Sequence, residues 1–286
     1  MNGRDDVDPA SDIPNGRFQL AVGLYVGVFL AGIATTALAP TDPSPSVLAG
    51  TSVIGGLVGV VLGIGVARVD HELSARLGRT VARRRAVAAP AGLFGAIAIA
   101  SWIVSVGARV VTASVTAAIA LLVTGSVLGT LAGNRYVDRV VTDEPIATWD
   151  WEPPGAPRLD GVLFLAWTVM AVTAAVAGNW LTAAIWTTIG VLWLVSCLVE
   201  GRWRFASVGA SPEVRVHEAG LVKRRPYSRS FVPWKAVDHV RVREDELVID
   251  RGLRDVRFDR TELGDLEAVL ETIERQRPDE GPPVLG

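Results

Sequence analysis

The sequence predicts a membrane protein: an all-α region of six transmembrane helices, followed by a small β-rich domain. Three observations lead to this fold class. Long apolar runs lie before residue 200, charged residues crowd the remainder, and alternating apolar and polar residues recur after residue 210. Only 20% of the 286 residues are charged and the mean hydropathy is +0.35. Soluble domains carry roughly 25% charged residues, so a single soluble domain is excluded.

Six apolar runs contain no Asp, Glu, Lys or Arg, and each is 18 to 24 residues long. A helix needs about 20 apolar residues to cross a hydrocarbon core of roughly 30 Å, so each run is long enough to span a bilayer. A short polar break around Asn179 separates the last two runs and predicts a hairpin. The runs are residues 18–39, 47–67, 86–108, 110–133, 161–178 and 180–199.

The segment before the first run, residues 1–17, is acidic and is predicted to be disordered. It carries four Asp and two Arg, whereas a secretory signal peptide begins with positive charge and has a shorter apolar core. We therefore expect the first run to be a retained transmembrane helix.

Arginine in the short loops predicts the orientation. The loop between the second and third runs is rich in Arg, and the loop of residues 40–46 has none. Short cytoplasmic loops carry the excess of positive charge, so we expect this loop, both termini and residues 134–160 to be cytoplasmic in a multi-pass protein of the cell membrane. Arg109 is the one exception.

A nucleic-acid patch is the alternative interpretation of the Arg cluster, but its closeness to two membrane ends favours a topological role, and we expect no nucleic-acid partner. The cluster consists of Arg68, Arg76, Arg79, Arg83, Arg84 and Arg85.

Two rows of glycine with four-residue spacing lie within the second and fourth runs. This spacing puts each row on one helix face, where another backbone can approach closely. The sequence therefore predicts helix packing at these positions, either within the chain, in a homo-oligomer, or against other membrane proteins. The rows are Gly55, Gly59 and Gly63, and Gly125, Gly129 and Gly133.

The spans contain no ionisable residue near their middle, although ion-coupled transporters usually carry such residues. Hydroxyls such as those of Thr168, Thr173 and Thr188 are expected to donate to the carbonyl one turn back. A transporter or channel with a regulatory tail is therefore the alternative rather than the first interpretation.

Residues 134–160 contain several acidic residues, Trp149 and Trp151, and a Pro pair. We interpret them as a cytoplasmic linker folded against the headgroups. The linker would separate a four-helix membrane region, residues 18–133, from a transmembrane hairpin, residues 161–199.

The tail changes character after residue 200. Apolar residues alternate with polar ones around positions 214–216, 240–242, 247–249 and 256–258, which predicts short strands in an antiparallel meander. The spacing then changes to three or four residues between Leu263 and Ile273, which predicts a helix. We expect Asp259 and Glu262 to cap its start. The predicted domain covers residues 203–277, and residues 278–286 are predicted to be disordered.

Four short motifs follow one another in the tail: a strand and Gly-Leu turn, VRVHEAGLV, then the basic KRRP, then FVPW, then VDHV before the final helix. In this order and spacing the tail resembles the pleckstrin-homology-like (PH-like) domains of prokaryotic membrane proteins. The resemblance covers about a quarter of the chain, residues 214–273. It implies a small antiparallel sheet or barrel closed by a C-terminal helix, with binding or assembly as its role rather than catalysis.

In relatives, a basic hairpin grips phosphorylated lipid headgroups, and the resemblance implies the same role here for Lys223, Arg224, Arg225 and Arg229. Each cation near an anionic leaflet contributes about 1 kcal/mol, so the four could hold the tail against the cytoplasmic surface. The alternative is that each is paired with a nearby acid.

No catalytic site, metal site or cofactor motif is recognisable. The three His residues are scattered, Cys197 stands alone within a span, and neither a phosphate-binding glycine loop nor a nucleophile elbow occurs. We therefore expect a non-enzymatic scaffold or regulator that binds lipids or proteins. Arg outnumbers Lys 26 to 2, which is typical of a GC-rich prokaryotic genome, and the Asp-rich start is compatible with a haloarchaeal source.

Overall fold

The computed structural model describes residues 16–152, 157–200, 202–203, 211–243, 245–251, 255–263 and 265–276. Most of the predicted disordered start and all of residues 278–286 lie outside these ranges. The chain divides into two compact units, Met1–Ala132 and Gly133–Gly286. Each unit is described by itself.

Eight helices occur among the described residues before position 200. Five helical stretches are long and apolar enough to cross a membrane, which makes the chain a multi-pass membrane protein: Gly16–Thr41, Pro45–Val69, Val81–Ile103, Ala108–Val140 and Arg158–Val176. In α8 the apolar described stretch is shorter, Thr182–Leu198, so six spans remain a prediction. The helices are α1 (Gly16–Leu38), α2 (Pro45–Val69), α3 (Leu73–Gly78), α4 (Val81–Ala86), α5 (Ala89–Ile103), α6 (Ala108–Val140), α7 (Pro157–Val176) and α8 (Trp180–Val199).

The Arg-rich loop contains two short helices, α3 and α4, that the sequence analysis did not predict. Thr80 caps α4, since its hydroxyl accepts a hydrogen bond from Arg83 N at 3.2 Å. Arg76 pairs with Asp70 and Glu72, which satisfies part of the charge in this loop.

Helix α6 continues seven residues beyond the predicted end of its apolar run, from Gly133 to Val140. The added residues include Arg135, Asp138 and Arg139. Arg is among the better helix-forming residues, and no Pro or Gly interrupts this stretch, so a loss of hydropathy does not end the helix. Helix α6 therefore continues past its apolar run as a polar helical segment.

Seven strands occur in the part of the chain that the structure describes, and they form two antiparallel sheets. The first sheet has the order β1-β2-β3-β4 and the second has the order β5-β6-β7. Among the described residues the two sheets do not join into a closed barrel, which corrects the barrel alternative. The strands are β1 (Ala147–Asp150), β2 (Glu213–His217), β3 (Gly220–Arg224), β4 (Arg229–Pro233), β5 (His239–Arg243), β6 (Glu246–Asp250) and β7 (Val256–Asp259).

Strand β1 lies in the segment that the sequence analysis interpreted as a linker. It pairs with β2, with Trp149 opposite Val214. Trp151 follows and is only 1% exposed. The hairpin of α7 and α8 is therefore inserted between the first and second strands of one domain, which we call the sheet domain (β1 to β7 with the final helix).

The core of the sheet domain takes side chains from both sheets and from helix α9 (Leu266–Gln276). Trp151 and Phe258 meet edge to face at a centroid distance of 6.0 Å. Their neighbours include Val214, Leu221 and Ile273, all buried. The alternation that predicted the strands thus corresponds to the inward faces of the two sheets.

Helix α9 begins later than predicted. Its cap is Asp265, whose Oδ1 accepts from Ala268 N at 3.0 Å, whereas Asp259 accepts from Thr261 N at 2.9 Å in the preceding turn. The predicted capping pair of Asp259 and Glu262 was wrong because that turn uses Asp259 locally.

Candidate functional site

The predicted binding residues lie on the hairpin of β3 and β4, which we call the basic hairpin (residues 223–229). Arg225 N donates to Ser228 O at 2.8 Å, so the hairpin ends in a two-residue tip, Pro226 and Tyr227. Among the described residues of this hairpin, Tyr227 is the large apolar side chain that stands exposed, at 46%. The tip therefore presents an aromatic ring to its surroundings.

Asn134 holds this tip. Its Nδ2 donates to Tyr227 O at 2.8 Å, and its Oδ1 accepts from Arg229 N at 2.7 Å. One amide side chain thus satisfies a backbone acceptor in the tip and a backbone donor two residues further along the chain. Asn134 is the first polar residue after the apolar run of α6. We call this pair of hydrogen bonds the Asn134 clasp.

Two carboxylates reinforce the clasp. Asp138, one turn further along α6, pairs with Arg229. Asp143, beyond the helix end, accepts from Glu218 N at 3.0 Å and lies 3.3 Å from His217 Nδ1. Burial raises the pKa of Asp143, but the hydrogen bonds that it accepts and the charge of His217 outweigh burial and hold that pKa below its ordinary value. The carboxylate form therefore favours the docked arrangement.

Lys223 lies between two aromatic rings. Its Nζ stands 4.3 Å from the ring centroids of both Trp151 and Phe258. The pKa of Lys223 is lowered to about 8, mainly because the ammonium is buried; the charge of Arg225 contributes to the lowering, and the charge of Glu262 opposes it. The ammonium therefore contacts aromatic rings of its own domain, and the cation–π attraction partly offsets the hydration that it loses on burial.

Arg225 connects the basic hairpin to the base of α7 and α8. Its guanidinium lies 5.2 Å from the Trp151 ring. Burial lowers the pKa of Arg225, Glu200 raises it and Arg202 lowers it, so all three groups share one electrostatic neighbourhood. Arg202 in turn pairs with the buried Asp160 at 3.0 Å.

Arg224 faces Glu213 across the β2–β3 pair, with 4.0 Å between Nη1 and Oε2. All four predicted cations of the basic hairpin thus have acidic, backbone or aromatic partners in their own chain. These contacts favour the alternative weighed from the sequence, in which the cations are paired internally. A direct role of the four in headgroup binding stays a prediction.

A second charged surface, with both Arg and acidic residues, lies on β5, β6 and β7. Arg241 and Arg243 are exposed on β5, and within the part of the chain that the structure describes neither has a carboxylate partner. They line a polar cavity of about 330 Å³ with Arg257 of β7, which pairs with Glu246. The same cavity is also lined by three carboxylates, those of Asp245, Glu246 and Asp259.

The first glycine row lies against α1. A β-carbon at Gly59 would stand 2.6 Å from Gly27 Cα, and one at Gly63 would stand 2.8 Å from Gly23 Cα. Gly55 approaches Ala31 Cα, at 3.2 Å. Real side-chain contacts do not come this close, so only glycine fits at the two closest positions, and α1 of the same chain fills this face of α2.

The second row makes looser contacts. A β-carbon at Gly125 would lie 3.3 Å from Val87 Cγ1, and one at Gly129 would lie 3.8 Å from Arg84 O. Gly133 is buried in α6. This row therefore faces the segment around α4 rather than a parallel glycine face.

The hydroxyls of the last two helices behave as predicted. Thr168 donates to Phe164 O, Thr173 to Val169 O and Thr188 to Ala184 O, at 2.8–2.9 Å. The prediction of internal satisfaction is confirmed for these three, so they do not form a polar path.

Sequence reasoning missed Asn134, Asp138 and Asp143, because none belongs to a motif. A usable signal was present for Trp149 and Trp151, whose two-residue spacing is that of one strand face. No group of three or more His, Cys, Asp or Glu side chains that could hold a metal ion occurs among the described residues. Comparisons with family models, with curated proteins and with solved structures found no match.

Proposed function

We propose that the chain is a non-enzymatic multi-pass protein of the cell membrane whose sheet domain is a binding module held at the cytoplasmic surface, with a scaffolding or regulatory role. The Asn134 clasp carries this proposal. The apolar run of α6 ends at Gly133, and the next residue binds the tip of the basic hairpin. The tip then belongs at the level of the lipid headgroups.

The exposed ring of Tyr227 supports contact with the membrane surface. Tyr and Trp concentrate at membrane interfaces, where an apolar ring and a polar end are both accommodated. The cations behind the tip have partners within the chain, so Tyr227 is the residue that we expect to reach the lipid. Anionic headgroups would add a weaker, screened attraction.

A protein partner would use the other side of the sheet domain. Arg241 and Arg243 are exposed and lack a carboxylate partner among the described residues. Charged rims of this kind raise association rates with partners of opposite charge. Because carboxylates line the same cavity, a partner with one acidic group placed at these two arginines, rather than a uniformly acidic surface, fits this face.

The order of the elements also supports the PH-like resemblance. The antiparallel strands after residue 213 are followed by a final helix, and the resemblance implies an antiparallel sheet closed by such a helix. The inserted hairpin of α7 and α8 is an addition to this plan. Domains of this class bind or assemble, which agrees with a non-catalytic role but does not by itself identify a ligand.

Lipid contact at the tip can be tested by quenching in nanodiscs. Tyr227→Cys in a Cys197→Ala background would carry a fluorescent label, and Glu271→Cys on the exposed side of α9 would carry the same label as the matched control. We expect nitroxide attached to lipid headgroups to quench the label at position 227 and to leave that at position 271 bright. Equal quenching by aqueous iodide at both positions, with none by lipid, would contradict membrane contact.

A transporter or channel is the second candidate, and one observation favours it: α1, α2 and α6 line a partly open cavity of about 470 Å³. Solute flux in proteoliposomes separates the two functions. Flux that persists after deletion of residues 201–286 would favour a transporter, whereas a binding module gives no flux with or without its tail.

A further inference from the structure

The cavity between α1, α2 and α6 lies in the first unit and does not involve the sheet domain. It extends along α6 from Arg109 to Ala120. Eleven residues at 1.5 Å per residue make this length about 16 Å. That is close to half of a hydrocarbon core of roughly 30 Å, which is the depth of one lipid leaflet.

The walls of the cavity are apolar. Most lining side chains are Ala, Gly, Val, Leu or Pro. Of the hydroxyls, Thr35 donates to Ala31 O at 2.7 Å and Thr112 donates to Ala108 O at 2.8 Å, so both are satisfied by their own helices. Ordered water needs two to four polar partners, and these walls offer few. An apolar occupant fits better than water.

The cavity is a partly open groove rather than an enclosed channel. It offers a volume of about 470 Å³ over a length of about 16 Å. An α-helix with its side chains is about 10–12 Å across. One extended hydrocarbon chain can lie within the groove, whereas a helix of a second copy could only lie across its open side.

One end of the cavity carries charge. Arg109 lines it at the second residue of α6, and its guanidinium pairs with Asp42 in the turn between α1 and α2. Arg109 is also the exception to the loop-charge pattern that predicts the topology. A cation at headgroup depth beside an apolar groove is complementary to an anionic headgroup.

We propose that this cavity binds one acyl chain of an anionic glycerophospholipid, with the phosphate at Arg109 and the chain end at Ala120. The phosphate competes with Asp42 for the guanidinium. This site is independent of the function proposed for the sheet domain.

Native mass spectrometry of the full-length protein in detergent tests the site. The probes are phosphatidylglycerol and phosphatidylcholine with identical palmitoyl and oleoyl chains. We expect one phosphatidylglycerol to be retained with about five- to tenfold preference over phosphatidylcholine, the range expected of one added cation contact. Equal retention of the two lipids, or a dimer in place of a lipid adduct, would overturn the proposal.

Variants separate the headgroup contact from the chain contact. Arg109→Gln should reduce the preference to about one, and Arg79→Gln, an exposed arginine of the Arg-rich loop, should leave it unchanged. Asp42→Asn should tighten phosphatidylglycerol binding because it removes the competing carboxylate. Ala113→Leu should weaken binding of both lipids because it fills the groove.

Arg109→Gln and Asp42→Asn change exposed side chains, so we expect both variants to fold. They test the headgroup site even if Ala113→Leu does not fold. An unchanged preference in Arg109→Gln, or an equal loss in Arg79→Gln, would contradict the assigned headgroup site.

Discussion

At the residue scale, single polar side chains determine where the sheet domain attaches. Asn134 contributes both hydrogen bonds of its clasp, and Asp138 adds an ion pair with Arg229. Exposed ion pairs contribute little on their own, so the amide of Asn134 is the more important contact. None of these residues contributes to the hydrophobic core.

Asn134→Ala should release the tip without unfolding the sheet domain. Each lost hydrogen bond is worth about 1 kcal/mol, so we expect the amide of Arg229 to exchange with solvent about 5- to 30-fold faster. Hydrogen exchange in nanodiscs measures this. Asn179→Ala is the matched control, because Asn179 makes no side-chain cap hydrogen bond. Unchanged protection at Arg229 would contradict the clasp.

Lys223 makes the stability of the sheet domain depend on pH. Its pKa is about 8 in the folded domain and 10.5 in an ordinary environment, so between these values the unfolded chain binds more protons. Stability therefore rises as the pH rises from 8 to 10.5, by at most about 3 kcal/mol.

Denaturant midpoints at pH 7.5, 8.5 and 9.5 measure this effect, with protease susceptibility of the tail as the readout. Lys223→Met keeps the apolar stem and removes the titrating group, so its midpoint should rise less over this range. Parallel pH profiles for the two proteins would show that Lys223 is not the group responsible.

At the element scale, two arrangements stand out. The backbones of α1 and α2 approach each other closely, and the hairpin of α7 and α8 is inserted within the sheet domain. Gly59 and Gly63 allow the first arrangement because no β-carbon fits there. Strand β1 and Trp151 come before the hairpin of α7 and α8 in the sequence, but they pack with the strands that come after it. The hairpin is therefore inserted within the sheet domain.

Gly59→Ala should separate α1 from α2. The added β-carbon would stand 2.6 Å from backbone atoms that cannot rotate away. Overpacking of this kind costs about 1–3 kcal/mol, so we expect a lower midpoint of thermal unfolding in detergent. Gly65→Ala on the same helix meets nothing within 4 Å and should keep the midpoint. Equal midpoints would remove the packing role of the row.

The tail should not fold without β1. Residues 203–277 produced alone lack Trp151, and loss of a large aromatic side chain from a core costs about 3–5 kcal/mol. We expect poor dispersion in its nuclear magnetic resonance spectrum. Residues 143–152 joined by a short Gly-Ser linker to residues 211–276 should give a dispersed spectrum. A folded 203–277 segment would show that β1 is dispensable.

At the scale of the whole molecule, the helices and most strands could be predicted from the sequence, but the way in which they pair and pack could not. Apolar runs and two-residue alternation act locally, so the spans near residues 18–133 and the strands after residue 213 could be predicted. Strand β1 could not, because its partner β2 lies more than 60 residues away, beyond a transmembrane hairpin.

The position of the candidate site could be predicted from the sequence, but the contacts of its residues could not. Its basic hairpin stands out in the sequence, but the partners of Arg229 and Lys223 are an aspartate of a helix extension and two aromatic rings from separate strands and loops. Local pattern does not specify such long-range pairs. The structure shows that the basic hairpin contacts other parts of its own chain and has an exposed tip, and headgroup binding by its four cations stays a prediction.

The central claim is that the sheet domain is attached to the polar end of α6 through the basic hairpin. Cysteine crosslinking in native membranes tests it most directly, with a short bismaleimide and a Cys197→Ala background. We expect Asp138→Cys with Arg229→Cys to crosslink efficiently, and Asp138→Cys with Glu271→Cys to remain uncrosslinked. Equal crosslinking of the two pairs, or none in the first, would contradict the attachment.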